Sequence, residues 1–89
     1  MSIFLNGKHM KTKEGAHAYL KRRLHFPSYY GNNLDALYDL LTAWVQGEIV
    51  IKNANALVAN LGDYGVSILE TFRDADQECD AITVKILWS

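Results

Sequence analysis

Three short apolar runs set the terms on which this chain can fold: Ser2–Leu5, Glu48–Lys52 and Ala81–Leu87. The middle run, EIVIK, is rich in β-branched residues, which suit a pleated, buried strand. The last run alternates Ile82, Val84 and Ile86 with Thr83, Lys85 and Leu87, the period of a strand. Helical segments separate the three runs. Strands held apart in this way favour parallel pairing through helical crossovers. The expected fold class is therefore α/β, a small three-stranded parallel sheet packed with about four helices.

Local signals place the helices. The first strand ends at the turn dipeptide Asn6-Gly7. Thr12 is a candidate N-cap for a helix running to about His25, with Ala16, Tyr19, Leu20 and Leu24 at helical spacing. Pro27 ends it, because the residue before proline avoids helical backbone angles. In the loop Ser28–Asn32, Gly31 can adopt a left-handed conformation. Asn33 can cap a second helix running to about Gln46, with Gly47 as its terminator. Asn53 or Asn55 can cap a short helix ending near Gly62. A further helix runs from about Tyr64 to Glu78, with Val66, Leu69, Phe72, Ala75 and Cys79 near one face.

The 89 residues are expected to make one domain, 1–89, with a modest core. A hydrophobic content of 49% and a single proline argue against disorder. No apolar run is long enough to cross a membrane, and the first residues lack the apolar stretch of a signal peptide. One cysteine, Cys79, leaves no internal disulfide and fits a reducing compartment. A cytoplasmic location is the resulting expectation, with Cys79 acting as a small hydrophobe.

The net charge is −1, but it is unevenly spread. Residues 1–26 carry Lys8, Lys11, Lys13, Lys21, Arg22 and Arg23 against Glu14 alone. Residues 27–48 carry Asp35, Asp39 and Glu48 and no basic side chain. Such asymmetry suggests an electrostatically chosen partner more than catalysis.

The acidic block contains the segment YYGNNLDALYDLLTAW, Tyr29–Trp44. On a helix advancing roughly 100° per residue, Asp35, Asp39, Thr42 and Gln46 share a narrow polar stripe. Leu34, Leu37, Leu40, Leu41, Trp44 and Val45 fall opposite, with Tyr38 at the border. Two carboxylates one turn apart cost an isolated helix roughly 0.2–0.5 kcal/mol. A solvated face explains Asp35, which lies in the first turn where a negative charge gains roughly 0.3–1 kcal/mol. It explains Asp39 less well. Trp44 reads as half core and half rim.

This segment resembles the signature of the barstar family, intracellular inhibitors of the ribonuclease barnase. The flanking chain agrees: an apolar start, a Lys-rich first helix, a proline before the tyrosine pair, a Phe-Arg-acidic helix and a terminal Thr-containing apolar strand. The resemblance implies a ribonuclease inhibitor without enzymatic activity or cofactor, monomeric when free and forming a 1:1 complex. It gives Asp39 the role of a phosphate mimic in the nuclease active site, flanked by Asp35. Charge-assisted hydrogen bonds to the nuclease's cationic groups supply the physical reason. It makes Tyr29 a stacking contact, lets Gly31 allow close backbone approach, and adds Asn33, Leu34, Tyr38, Thr42, Ala43, Trp44 and Gln46 to the contact surface. Asp74 and Glu78 match acidic positions at the interface periphery, where charges mainly raise the association rate.

This chain departs from the family's namesake at Tyr38 (tryptophan there), Gln46 (glutamate) and Ala43 (glycine), and it lacks a proline at Gly47-Glu48. These departures point to a ribonuclease other than barnase, such as a smaller or guanyl-specific microbial enzyme. An immunity protein against a delivered ribonuclease toxin is a variant of the same class. Catalytic readings are weak. Of the histidines His9, His17 and His25, the last two lie two turns apart on the first helix without an obvious acidic or cysteine partner, and no metal spacing or phosphate loop is present. A nucleic-acid-binding module using Lys11, Lys13, Lys21, Arg22 and Arg23 is a further alternative. The adjacent acidic block and the lack of interleaved aromatics argue against it, so no direct nucleic-acid partner is expected.

Overall fold

The computed structural model describes residues 2–89. Strands β1 (Ser2–Asn6), β2 (Gly47–Lys52) and β3 (Ile82–Ile86) form one sheet in the order β1-β2-β3, with both pairings parallel. Helices α1 (Lys13–Arg23) and α2 (Leu34–Ala43) connect β1 to β2, and α3 (Ala54–Leu61) and α4 (Asp63–Glu78) connect β2 to β3. The expected three-stranded parallel sheet with four helices is the observed architecture. A 3-10 turn at Gly7–His9 follows β1.

Register divides the sheet into two unlike faces. Ile3 and Leu5 lie beside Ile49 and Ile51, which lie beside Val84 and Ile86. Leu5, Ile49 and Ile51 are fully buried in a core completed by Leu20 of α1, Leu37 and Leu41 of α2, Leu57 of α3 and Phe72 of α4. The helices therefore cover this face. On the alternate face the row Phe4–Val50–Lys85 crosses all three strands. There Phe4 is 48% exposed and Lys85 is exposed, while Val50 between them is buried.

Gly7 is required by a close approach rather than by its φ. A Cβ there would collide with the carbonyl of Asn53, so only glycine lets the turn after β1 pack under the start of α3. Gly65 does the same between α3 and α4, where a Cβ would lie 2.7 Å from the Leu57 carbonyl oxygen. This contact centres the buried arc of α4 on Gly65, Ile68, Phe72 and Ala75 and leaves Val66, expected near the apolar face, 40% exposed.

Two helices stop earlier than their sequence signals suggest. α1 ends at Arg23, ahead of Pro27. His25 takes a left-handed conformation (φ 57°), and the Phe26 amide reaches back to the Lys21 carbonyl at 3.0 Å. This is a Schellman ending with histidine in the place usually taken by glycine. It turns Phe26 into the core. α2 ends at Ala43, and Gln46 lies outside the helix. Gly47, expected as the helix terminator, opens β2 at φ 103° and donates its amide to the Ala81 carbonyl.

Candidate protein-binding face on α2

The start of α2 is built by Asn33. Its side-chain oxygen accepts the Ala36 amide at 2.7 Å, closing the cap expected of it. Its Nδ2 donates to the Gly31 carbonyl at 3.2 Å. One side chain thus joins the loop to the helix. The left-handed residue of this loop is Asn32 (φ 55°), not Gly31. Gly31 contributes space instead: a Cβ would stand 3.2 Å from the Asn33 amide nitrogen and press on the cap.

The tyrosine pair divides sharply. Tyr29 is 75% exposed and Tyr30 is buried. The Tyr30 amide donates to the Pro27 carbonyl at 3.0 Å, and its ring packs on Phe26 at 4.8 Å between centroids. Its hydroxyl lies 2.6 Å from His17 Nδ1, and His17 Nε2 lies 2.5 Å from the Tyr64 hydroxyl. The chain Tyr30–His17–Tyr64, buried at Tyr30 and His17 and half-buried at Tyr64, therefore pins the loop to α1 and α4. Burial, together with the positive charge of Lys13, lowers the His17 pKa. Burial raises both phenols, helped at Tyr64 by the charge of Glu14. A neutral imidazole donating to one tyrosine and accepting from the other satisfies all three groups. Reading the histidines for acidic or cysteine partners overlooks this arrangement. The position of His17 next to Ala16, on the buried side of α1, was the available signal.

Asp35 and Asp39 both project into solvent from the α2 surface. Asp39 shares a shallow open hollow with Tyr29, Tyr30, Gly31, Ala36 and Leu40. Asp35 lines a neighbouring hollow with Lys13, Asn32, Asn33, Leu34 and Tyr64. The helix thus presents one carboxylate beside an exposed aromatic ring and the other beside an amide-lined loop. Lys13 sits over the Tyr64 ring, 4.5 Å from its centroid.

The remaining expected contacts separate by accessibility. Gly31, Asn33, Ala43, Trp44 and Gln46 are exposed, whereas Leu34, Tyr38 and Thr42 are half-buried. The Thr42 hydroxyl turns back on its own helix, donating toward the carbonyls of Tyr38 (3.0 Å) and Asp39 (3.2 Å). Trp44 is 50% exposed, and its indole N–H donates to the His25 carbonyl at 3.0 Å. It ties the left-handed end of α1 to the end of α2, a role that the sequence does not display. Asp74 and Glu78 are exposed on α4, which packs against α2. Half-buried Cys79 lies 3.6 Å from the Thr42 carbonyl. Among the described residues no His, Cys, Asp and Glu side chains cluster to hold a metal ion, and no helix is long and apolar enough to cross a membrane.

The family model described as Barstar (barnase inhibitor) matches residues 1–88. The chain belongs to the barstar family. The family match runs from β1 through β3, so it covers both the sheet and the α2 face. The chain is also similar to a protein of Bacillus subtilis (strain 168) named "Putative ribonuclease inhibitor YrdF". The two are 41% identical over 78 residues, which cover 85% of this chain and 86% of that relative.

Proposed function

We propose that this protein binds a microbial ribonuclease of the barnase-like or guanyl-specific kind and blocks its active site, protecting the cell that makes it. The observation that carries this reading is the exposed carboxylate of Asp39 beside exposed Tyr29, on a helix whose start is fixed by the Asn33 cap. Membership of a family described as barnase inhibitors supports it, as does the printed name of the Bacillus subtilis relative.

A ribonuclease must hold a phosphate, so its active site presents cationic side chains. A carboxylate fixed at the right height offers the same acceptor atoms and gains charge-assisted hydrogen bonds, bidentate where arginine donates. Asp39 is that group and Asp35 flanks it. Tyr29 supplies a flat ring to stack on the nuclease, and Gly31 leaves the backbone accessible. Gly31, Asn33 and Leu34 line one side of the contact, with Tyr38, Thr42, Ala43, Trp44 and Gln46 on the other. Rigidity matters because a carboxylate carried on an already ordered helix spares the cost of ordering the backbone on binding. The protein acts by occlusion in a 1:1 complex and performs no chemistry itself.

The test is RNA cleavage by a panel of barnase-like and guanyl-specific ribonucleases with this protein titrated in. Stoichiometric loss of activity is expected against at least one. Asp39→Ala should weaken that inhibition by about 30-fold or more, the ~2 kcal/mol typical of a residue that anchors an interface. Inhibition undiminished in Asp39→Ala would rule out phosphate mimicry.

A further inference from the structure

We propose that the uncovered face of the sheet is a second binding surface, for single-stranded nucleic acid. It lies on the side of the sheet away from the helices and so away from α2. Its aromatic ring is Phe4, 48% exposed on the edge strand β1. The Lys52 ammonium stands 5.0 Å from the centre of the Phe4 ring. Lys85 follows in the same cross-strand row, two strand spacings or about 10 Å from Phe4. At the β1 edge the Arg23 guanidinium donates to the Phe4 carbonyl at 2.8 Å.

These four residues bring together what a single strand requires, a flat aromatic ring for a base and cations spaced around it for the phosphates. Among the described residues the only carboxylate that register places on this face is Glu48, and it accepts the Ser2 hydroxyl at 3.0 Å. Charge complementarity therefore favours a polyanion, and the ring favours one that carries bases.

The Lys52–Phe4 contact indicates how a strand is admitted. An ammonium over an exposed ring is weakly held. An incoming base takes its place on Phe4, and the displaced ammonium meets the adjoining phosphate. Lys85 and Arg23 meet the phosphates on either side. The basic residues of α1 alone lacked interleaved aromatics. The parallel pairing of β1 with β2 supplies the missing ring, because it sets Phe4 beside Val50 and leaves Lys52 free to reach over it.

The experiment is fluorescence anisotropy of a 5′-fluorescein dodecamer of uridylate with the full chain, at 20 mM and 200 mM salt. Binding at low salt should weaken with a log–log salt slope of about 2, from roughly 0.7 per phosphate contact. Phe4→Ala should weaken binding about tenfold, within the range of one lost base stack. Lys52→Gln with Lys85→Gln should lower the slope by about 1.4. This double variant leaves the core untouched and provides the test should Phe4→Ala unfold. An abasic strand of equal length should bind more weakly than the uridylate strand. Three results would overturn the proposal: no binding at 20 mM salt, equal binding of the abasic strand, or displacement of the strand by poly-glutamate as readily as by unlabelled uridylate. The last would mark the face as a site for acidic protein.

Discussion

Tyr29 and Tyr30 are chemically identical neighbours with opposite fates, and the reason lies in what each hydroxyl can reach. Tyr30 is turned inward by the Pro27–Tyr30 hydrogen bond and finds His17; Tyr29 is left facing water. The histidine makes this arrangement sensitive to pH. Its folded-state pKa is lowered by burial and by Lys13, so the folded protein resists a proton that the unfolded chain takes up below about 6.5. Stability from this group is fully present above the unfolded value. It declines as pH falls below that value, and the decline stops once the folded imidazole is itself protonated. Urea midpoints at pH 7.5 and 5.5 should fall further for the wild type than for His17→Gln. Equal losses in both would assign the titration to other groups. The sequence, through its family resemblance, singled out Tyr29 as the contact. It did not show that histidine and two tyrosines from three segments meet, because residues 13 and 47 positions apart leave no local pattern.

At the level of the element, α2 shows how far local rules extend. The Asn33 cap, the buried stripe Leu37, Leu40 and Leu41, and the exposed Asp35 and Asp39 all follow from helical spacing and capping chemistry. The ends do not follow. α2 stops at Ala43 because Gly47 is recruited into β2, and α1 stops at Arg23 because His25 accepts a left-handed backbone that buries Phe26. Each is a local cost offset by packing or pairing with distant segments, which a window of neighbouring residues does not contain. The cap itself is measurable. Asn33→Ala should lower stability by about 1 kcal/mol, the usual worth of such a cap, seen as a reduced thermal midpoint. Because Asn33 also holds Gly31, the variant should lose more inhibition of a responsive nuclease than Ala43→Ser, a change on the same face away from the cap. Equal inhibition by the two variants would show that the loop holds its shape without the asparagine.

For the whole molecule, the decisive property is the separation of charge by the fold. The basic first stretch of the sequence supplies α1, and most of the acidic residues gather on α2 and α4, which pack together. Asp74 and Glu78 therefore extend the negative field of the α2 face without belonging to its centre. Charges so placed steer encounter more than they hold a complex. Replacing both by alanine should lower the association rate with a responsive ribonuclease several-fold at low salt, leave the dissociation rate nearly unchanged, and lose its effect near 1 M salt, where screening is complete within a few ångströms. A change in dissociation of the same size would move these residues into the contact itself.

By itself the sequence determined the elements, the parallel class of the sheet, the capped acidic helix and the family. These are encoded in short-range spacing: alternation for strands, a 3.6-residue period for helices, and cap and turn residues at fixed offsets. Tertiary structure alone decided which residues meet across long separations. It brought His17 to Tyr30 and Tyr64, joined the Trp44 indole to the His25 carbonyl, forced glycine at position 7 against Asn53, and set Lys52 over Phe4 on the open face of the sheet. The physical reason is that such contacts depend on register and on helix placement over the sheet, which packing of the entire core fixes at once and no local segment carries.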